Sequence, residues 1–385
     1  MLHTRRPLMA LRWLSVTSAR IPTVEIESLA EFDTKIAYAT TLDHWAFQSI
    51  DLRDRAPALA ALDVRGAMFL GCALTPQLED ALISRGALVF PPLPHVPFNP
   101  YRSCLYSADE LYDNLAAGYH KSFDGRAYAW YTANTRTKSL PANLAMSLHD
   151  QAIGDALADW LATIDATRLV GVMGGHAARR DSPAYADAAH LGASLAISGY
   201  VVATGGGPGA MEAVNLGARL AACPTAIEDA LTKLAGEPTY HGHLTEWAAL
   251  AIEVAASYPQ TNQTLGVPTW FYGHEPPNAF ATPIAKYFSN ALREDILLSR
   301  CRGGLIILPG EAGTVQEVFQ AATRNYYAAS DDLVTPVVLV GRHHWTETLP
   351  VWGLLRSLGD ARAMGRHIYL VDTPYEAVAA LTATA

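Results

Sequence analysis

Cysteine is scarce and scattered. Cys72, Cys104, Cys223 and Cys301 are the four in a 385-residue chain, and no two of them form a Cys-x-x-Cys pair. So few thiols in so long a chain provide neither a disulfide frame nor a thiolate zinc site, and they read as reduced cysteines of a cytoplasmic protein. Long apolar runs are missing as well: no stretch approaches the roughly 20 apolar residues of a membrane span. Positive charge is in deficit, 28 Lys and Arg against 37 Asp and Glu, for a formal charge of −9. That balance excludes a general nucleic-acid binder, while a few local arginines and amides suffice for a small phosphorylated ligand. The opening Met1–Leu14 superficially resembles a targeting peptide. Arg12 interrupts its apolar run, however, and no Ala-x-Ala cleavage site follows, so residues 1–23 are expected to be a ragged start. What is present is ample core material: 50% of residues are hydrophobic and 17% charged, enough for two domains of ordinary size.

Residues 24–140 read as a small α/β domain. Gly66–Gly71 and Ala87–Phe90 have strand character, and Thr75–Arg85 reads as a helix with Thr75 as cap and Pro76 in its first turn. The proline-rich Pro91–Pro100 is neither helix nor central strand and should be a stiff surface connection. A helix is expected over Leu105–Ala117, and 121–141 shows no clear period. Residues 150–385 alternate strand and helix at the spacing of a doubly wound, Rossmann-like parallel sheet. Strands are expected at Leu169–Met173, Tyr200–Ala203, Val267–Tyr272, Leu305–Leu308, Val337–Gly341 and Ile368–Val371. An insertion at about 224–263, with one or two helices, interrupts the alternation, which resumes with a helix over Pro283–Arg300.

Two of the strand-to-helix turns are rich in glycine. Leu305–Leu308 runs into Pro309-Gly-Glu-Ala-Gly-Thr-Val-Gln-Glu317, and Tyr200–Ala203 runs into Thr204-Gly-Gly-Gly-Pro-Gly-Ala-Met-Glu212. A short apolar run bounded by turn residues suits a strand buried on both faces. Glycine permits close backbone approach there, and the helix that follows turns unpaired N–H groups toward an anion. Two such turns in one sheet suggest a nucleotide site at the strand carboxyl ends. Together they resemble the paired signatures of the LOG family, the nucleoside 5′-monophosphate phosphoribohydrolases formerly labelled lysine decarboxylases. Pro183-Ala-Tyr185, Leu191-Gly192 and Val371-Asp-Thr-Pro374 match as well. The likeness covers roughly residues 150–385, and the extra N-terminal domain and insertion look like the larger bacterial nucleotide nucleosidases.

The resemblance implies hydrolysis of the N-glycosidic bond to free base and ribose 5-phosphate, with no cofactor and no metal, in a homodimer. It assigns Glu317 as the catalytic acid residue and, on the preceding helix, Arg293. Chemistry agrees: a carboxylate beside the sugar stabilises an oxocarbenium-like transition state and orients water. Thr314-x-x-Glu317 also has the form of a capping box, in which Glu317 would bond the Thr314 backbone. Lys286, Asn290 and Arg293 fall on one face of the expected helix, either as substrate contacts or as a solvated charge stripe. Arg293-Glu-Asp295 departs from the family's Arg-Lys pair. The phosphate is expected on the amides of Gly206, Gly207, Gly209, Gly310, Gly313 and Thr314, with Gly205 and Pro309 also in the substrate- and phosphate-binding set and Gly175 lining the base or phosphate pocket. Glu311 stands where the motif has a second glycine and would repel phosphate unless it points outward. Glu212 reads as structural or as a ribose ligand, and His176 as a loop residue near the pocket. His241-x-His243 and His343-His344 lack partners at metal-site spacing. Amino-acid decarboxylation is poorly supported, because none of Lys35, Lys121, Lys138, Lys233 and Lys286 lies in a loop after a main-sheet strand to hold pyridoxal phosphate. The reading from another class is a non-catalytic nucleotide or cofactor carrier or sensor on the same fold.

Overall fold

A computed structural model describes residues 23–137, 139–272 and 275–383; the expected ragged start, all but residue 23, lies outside the described residues. The chain divides into two compact units, one ending at Pro92 and the other beginning at Leu93. The first is a parallel sheet in simple order, β1 (Val24–Ile26), β2 (Trp45–Gln48), β3 (Met68–Leu70) and β4 (Leu88–Phe90). Its core gathers Ile26, Phe32, Phe47, Phe69 and Leu82, with Phe47 and Phe69 stacked at 4.7 Å. β3 is shorter than the Gly66–Gly71 run suggests because both glycines have left-handed φ, 78° and 64°, which no strand continues. The helix Pro76–Ser84 begins as expected, Thr75 accepting from the Leu78 amide.

The second unit carries six parallel strands: β5 (Leu169–Met173), β6 (Val201–Thr204), β7 (Thr264–Gly266), β8 (Gly304–Ile307), β9 (Val337–Val340) and β10 (Ile368–Val371). Their order, β10-β9-β8-β5-β6-β7, is the doubly wound arrangement expected, accompanied by the small α/β unit. From β5 the chain winds outward through β6 and β7, then returns to β8 on the other side of β5 and winds away through β9 and β10. Between β5 and β8 the direction reverses, and in such sheets a crevice opens there at the carboxyl ends of the strands. β5, β8 and β9 are buried throughout, as strands covered on both faces must be. Helices Pro183–Ile197 and Ala210–Arg219 cross so closely that a Cβ on Gly217 would lie 1.7 Å from the Ala189 carbonyl oxygen, and one on Gly192 2.0 Å from that of Val214.

Several expectations are corrected. The chain divides within the proline-rich stretch and not near 140, because Tyr106 exchanges backbone hydrogen bonds with Ile284 and Leu111 and Ala127 join the main core. The helix expected at Leu105–Ala117 is only Ala108–Leu111 followed by a 3-10 turn, Asn114 having a left-handed φ of 52°. Residues 121–141, without evident period, hold all of helix Phe123–Thr137 and the start of helix Leu140–Ala162. The third strand of the main sheet ends at Gly266, two residues before Pro268, which has no N–H for a ladder. The helix expected from Pro283 begins at Asn290, capped by Ser289. Lys286 therefore shares no helix face with Arg293; it is buried and paired with Asp124 at 2.5 Å. The insertion forms two helices, Pro224–Leu234 and Leu244–Ser257.

Candidate active site

The residues after β5, β6 and β8 meet in the crevice. In the Gly205–Gly209 turn Thr204 Oγ1 accepts from the Gly206 amide at 3.0 Å, and Asn278 donates from its backbone to the Gly206 carbonyl and from its side chain to the Gly207 carbonyl. The Gly206 amide is thus engaged, contrary to the expectation that it cradles phosphate. Gly175, φ 73°, accepts from the Ala210 amide at 2.9 Å and ties the turn after β5 to this loop without lining a cleft.

Gly205 has a more specific task. A Cβ there would lie 2.6 Å from Arg293 Nη2 and 2.7 Å from Met211 Sδ, so glycine leaves the space the guanidinium fills. Arg293 reaches it from helix Asn290–Arg300, whose start is fixed by Asp150 accepting from the Phe288 and Ser289 amides at 2.9 and 2.8 Å. Its Nε donates to the Val267 carbonyl at 2.8 Å. Its Nη1 lies 3.5 Å from Glu317 Oε1 and 3.9 Å from Glu294 Oε1.

Glu317 comes from helix Ala312–Tyr326, whose N-cap is Glu311. Thr314 is therefore the third helical residue and not the cap, so the capping-box role for Glu317 is ruled out. Burial pushes the Glu317 carboxyl up to about 7; the Arg293 guanidinium opposes the shift, and the Glu294 and Glu275 carboxylates add to it. A carboxyl that titrates near neutrality beside a guanidinium can exchange protons and answer developing positive charge at physiological pH.

Gly174, His176, Met211, Tyr272, Glu275, Arg293, Glu294, Glu311, Ala312, Gly313, Thr314 and Glu317 line a cleft of about 250 Å³. Arg293, Glu317, Gly313 and Thr314 are thus brought together as expected, and Glu311 faces the same opening. Pro309 and Gly310 lie behind it; a Cβ on Gly310 would collide with Thr314 Oγ1 at 2.2 Å. Glu212 is corrected to a structural residue. It is fully buried and accepts from Arg180 Nη2 at 2.5 Å and Nε at 3.0 Å and from Tyr185 at 2.9 Å, so three of its roughly four acceptor sites serve the fold. Asn290 serves Glu294, donating to it at 2.6 Å, and lies outside the cleft. A second cleft, of about 560 Å³, adjoins the first through His176, Tyr272 and Glu275 and extends past Arg179, Tyr240 and His241.

The sequence places Tyr272 and the segment with Glu275 at a strand end where residues could frame a base, and both line the cleft, Glu275 lying 3.8 Å from the position of a Cβ on Gly207. Glu294 and Met211 were missed as lining residues, although Glu294 was visible as the departure from the Arg-Lys pair. His344 was read as surface, yet its Nε2 lies 3.0 Å from the Gly310 carbonyl and braces the second loop. Among the described residues no group of three His, Cys, Asp or Glu could hold a metal ion, and no helix is long and apolar enough to cross a membrane.

Residues 167–225, which span β5, β6 and their glycine turns, match the SLOG cluster4 family, part of the LOG-like superfamily. No curated protein matches the chain. Among solved structures it is similar to the molybdenum cofactor binding protein of Rippkaea orientalis, at 18% identity over 56% of this chain and 96% of that one, with a TM-score of 0.36. It is also similar to the molybdenum cofactor carrier protein of Chlamydomonas reinhardtii, at 19% identity over 56% and 96% of the two chains, with a TM-score of 0.35.

Proposed function

We propose that this chain, whose residues 167–225 match the SLOG cluster4 family, hydrolyses the N-glycosidic bond of nucleoside 5′-monophosphates to free base and ribose 5-phosphate. The observation that carries the reading is the placement of Arg293 and Glu317, 3.5 Å apart, in one cleft at the switch point of the sheet. The phosphate rests at the amino end of helix Ala312–Tyr326, on the Gly313 and Thr314 amides and the Thr314 hydroxyl. Arg293 grips phosphate or ribose by charge-assisted bonds. Ionised Glu317 faces the sugar carbon and stabilises the oxocarbenium-like charge as the C1′–N bond breaks. It takes a proton from the water whose oxygen joins C1′, and that proton passes to the departing base nitrogen. The resemblance that motivates this reading also implies a homodimer, which light scattering showing only monomer would contradict.

A second reading, a nucleotide or cofactor carrier without catalysis, is favoured by one observation: both glycine turns have a carboxylate beside them, Glu275 near Gly207 and Glu311 at the cap. Incubation with AMP, GMP, CMP and UMP separates the two. Free base and ribose 5-phosphate support hydrolysis; binding without release from any of the four supports the carrier.

A further inference from the structure

Arg293 faces two carboxylates with the same nitrogen, and their surroundings differ. Glu294 is held by three neutral donors: Asn290 Nδ2 at 2.6 Å and the Tyr272 hydroxyl at 3.3 Å on Oε1, and Gln316 Nε2 at 2.6 Å on Oε2. It is 3% exposed. Hydrogen bonds donated to a buried carboxylate favour its charged form. Gln316 is the residue immediately before Glu317, so the helix that carries one carboxylate also fastens the other.

We propose that Glu294 is a positioning residue that sets the charge state in which Glu317 meets its substrate: held in place by Asn290, Gln316 and Tyr272, it shares Arg293 with Glu317 and keeps that arginine from neutralising Glu317 alone. The proposal rests on the hydrolase reading for its catalytic meaning, but not for its physical content. Two buried carboxylates beside one cation cannot both be fully compensated by it, and the Glu317 carboxyl is pushed up to about 7, the Glu294 carboxylate adding to the rise. The other groups around it are Arg293 and Glu294 from helix Asn290–Arg300, Glu275 from the segment after β7, His176 from the turn after β5, and Glu311 from its own helix cap. Of these, Arg293 and then Glu294 act on it most strongly, in opposite directions.

The test is a carboxyl-carbon NMR titration of protein labelled with 13C at glutamate Cδ, the Glu317 resonance being identified by its loss in Glu317→Gln. In the wild type it titrates near 7. In Glu294→Gln the midpoint falls by about one unit or more, and in any variant that turns over nucleotide the acid limb of kcat/KM moves down with it. Gln316→Leu, which loosens the clamp without removing the charge, gives a smaller shift in the same direction and decides the matter if Glu294→Gln does not fold. A Glu317 midpoint unchanged in a folded variant overturns the proposal. Because the titration needs no turnover, absence of base release would count against the hydrolase reading and leave this result standing on its own.

Discussion

The two glycine turns look alike in sequence and differ in what surrounds them. Gly205–Gly209 is buried throughout, its Gly206 amide and its Gly206 and Gly207 carbonyls engaged by Thr204 and Asn278, and its leading glycine leaves room for an arginine from another helix. Glu311, Ala312 and Gly313 are exposed, and a Cβ on Gly313 would meet nothing within 4 Å. One turn leaves room for Arg293, and the other opens on the cleft. Glycine spacing announces a tight strand-to-helix turn in both cases, but whether the amides are free is decided by side chains far away in sequence.

That contrast can be tested by substitution. Gly205→Ala should lower kcat/KM by about 10- to 100-fold, because a guanidinium displaced by about 1 Å loses its alignment. The melting temperature should change little, since the displaced atoms are the ends of flexible side chains; a large loss of stability with intact kinetics would reverse the assignment of the two turns. Glu311→Gly, which restores the motif and removes a negative charge from the mouth, should lower KM for a nucleoside monophosphate several-fold, with the gain shrinking at high salt.

Glu317 gives a stability prediction of its own. Between its ordinary 4.5 and about 7 the unfolded chain ionises while the folded carboxyl stays protonated, so the native state loses stability as pH rises through that window. Glu317→Gln should therefore be more stable than the wild type at pH 8, by about 1–3 kcal/mol, and the gap should close below pH 4.5 in denaturant titrations. The smallest effect is expected at the open turn: Gly313→Ala should alter stability by no more than about 0.5 kcal/mol in the same titrations.

The alternation of strands and helices in the main sheet was legible because each strand is a short apolar run closed by glycine or proline, and in the small unit Thr75 caps its helix where the local sequence puts it. Arg293, Glu317 and Thr314 were legible through motif spacing, and they do line one cleft. The start of the Arg293 helix was not, since Asp150, distant in sequence, supplies the carboxylate that fixes Phe288 and Ser289. Nor was the fate of Glu212: its place in a first helical turn suits a ligand or a strut equally well, and only Arg180 and Tyr185, brought in by folding, decide for the strut.

The most direct measurement is release of free base from nucleoside 5′-monophosphates by the wild type and by Glu317→Gln, with nucleotide affinity followed in parallel by calorimetry. Base and ribose 5-phosphate should appear with the wild type, fall by about 10²- to 10⁴-fold in the variant, and do so with little change in affinity. Equal rates in the two proteins, or tight binding by the wild type with no base released, would contradict the account.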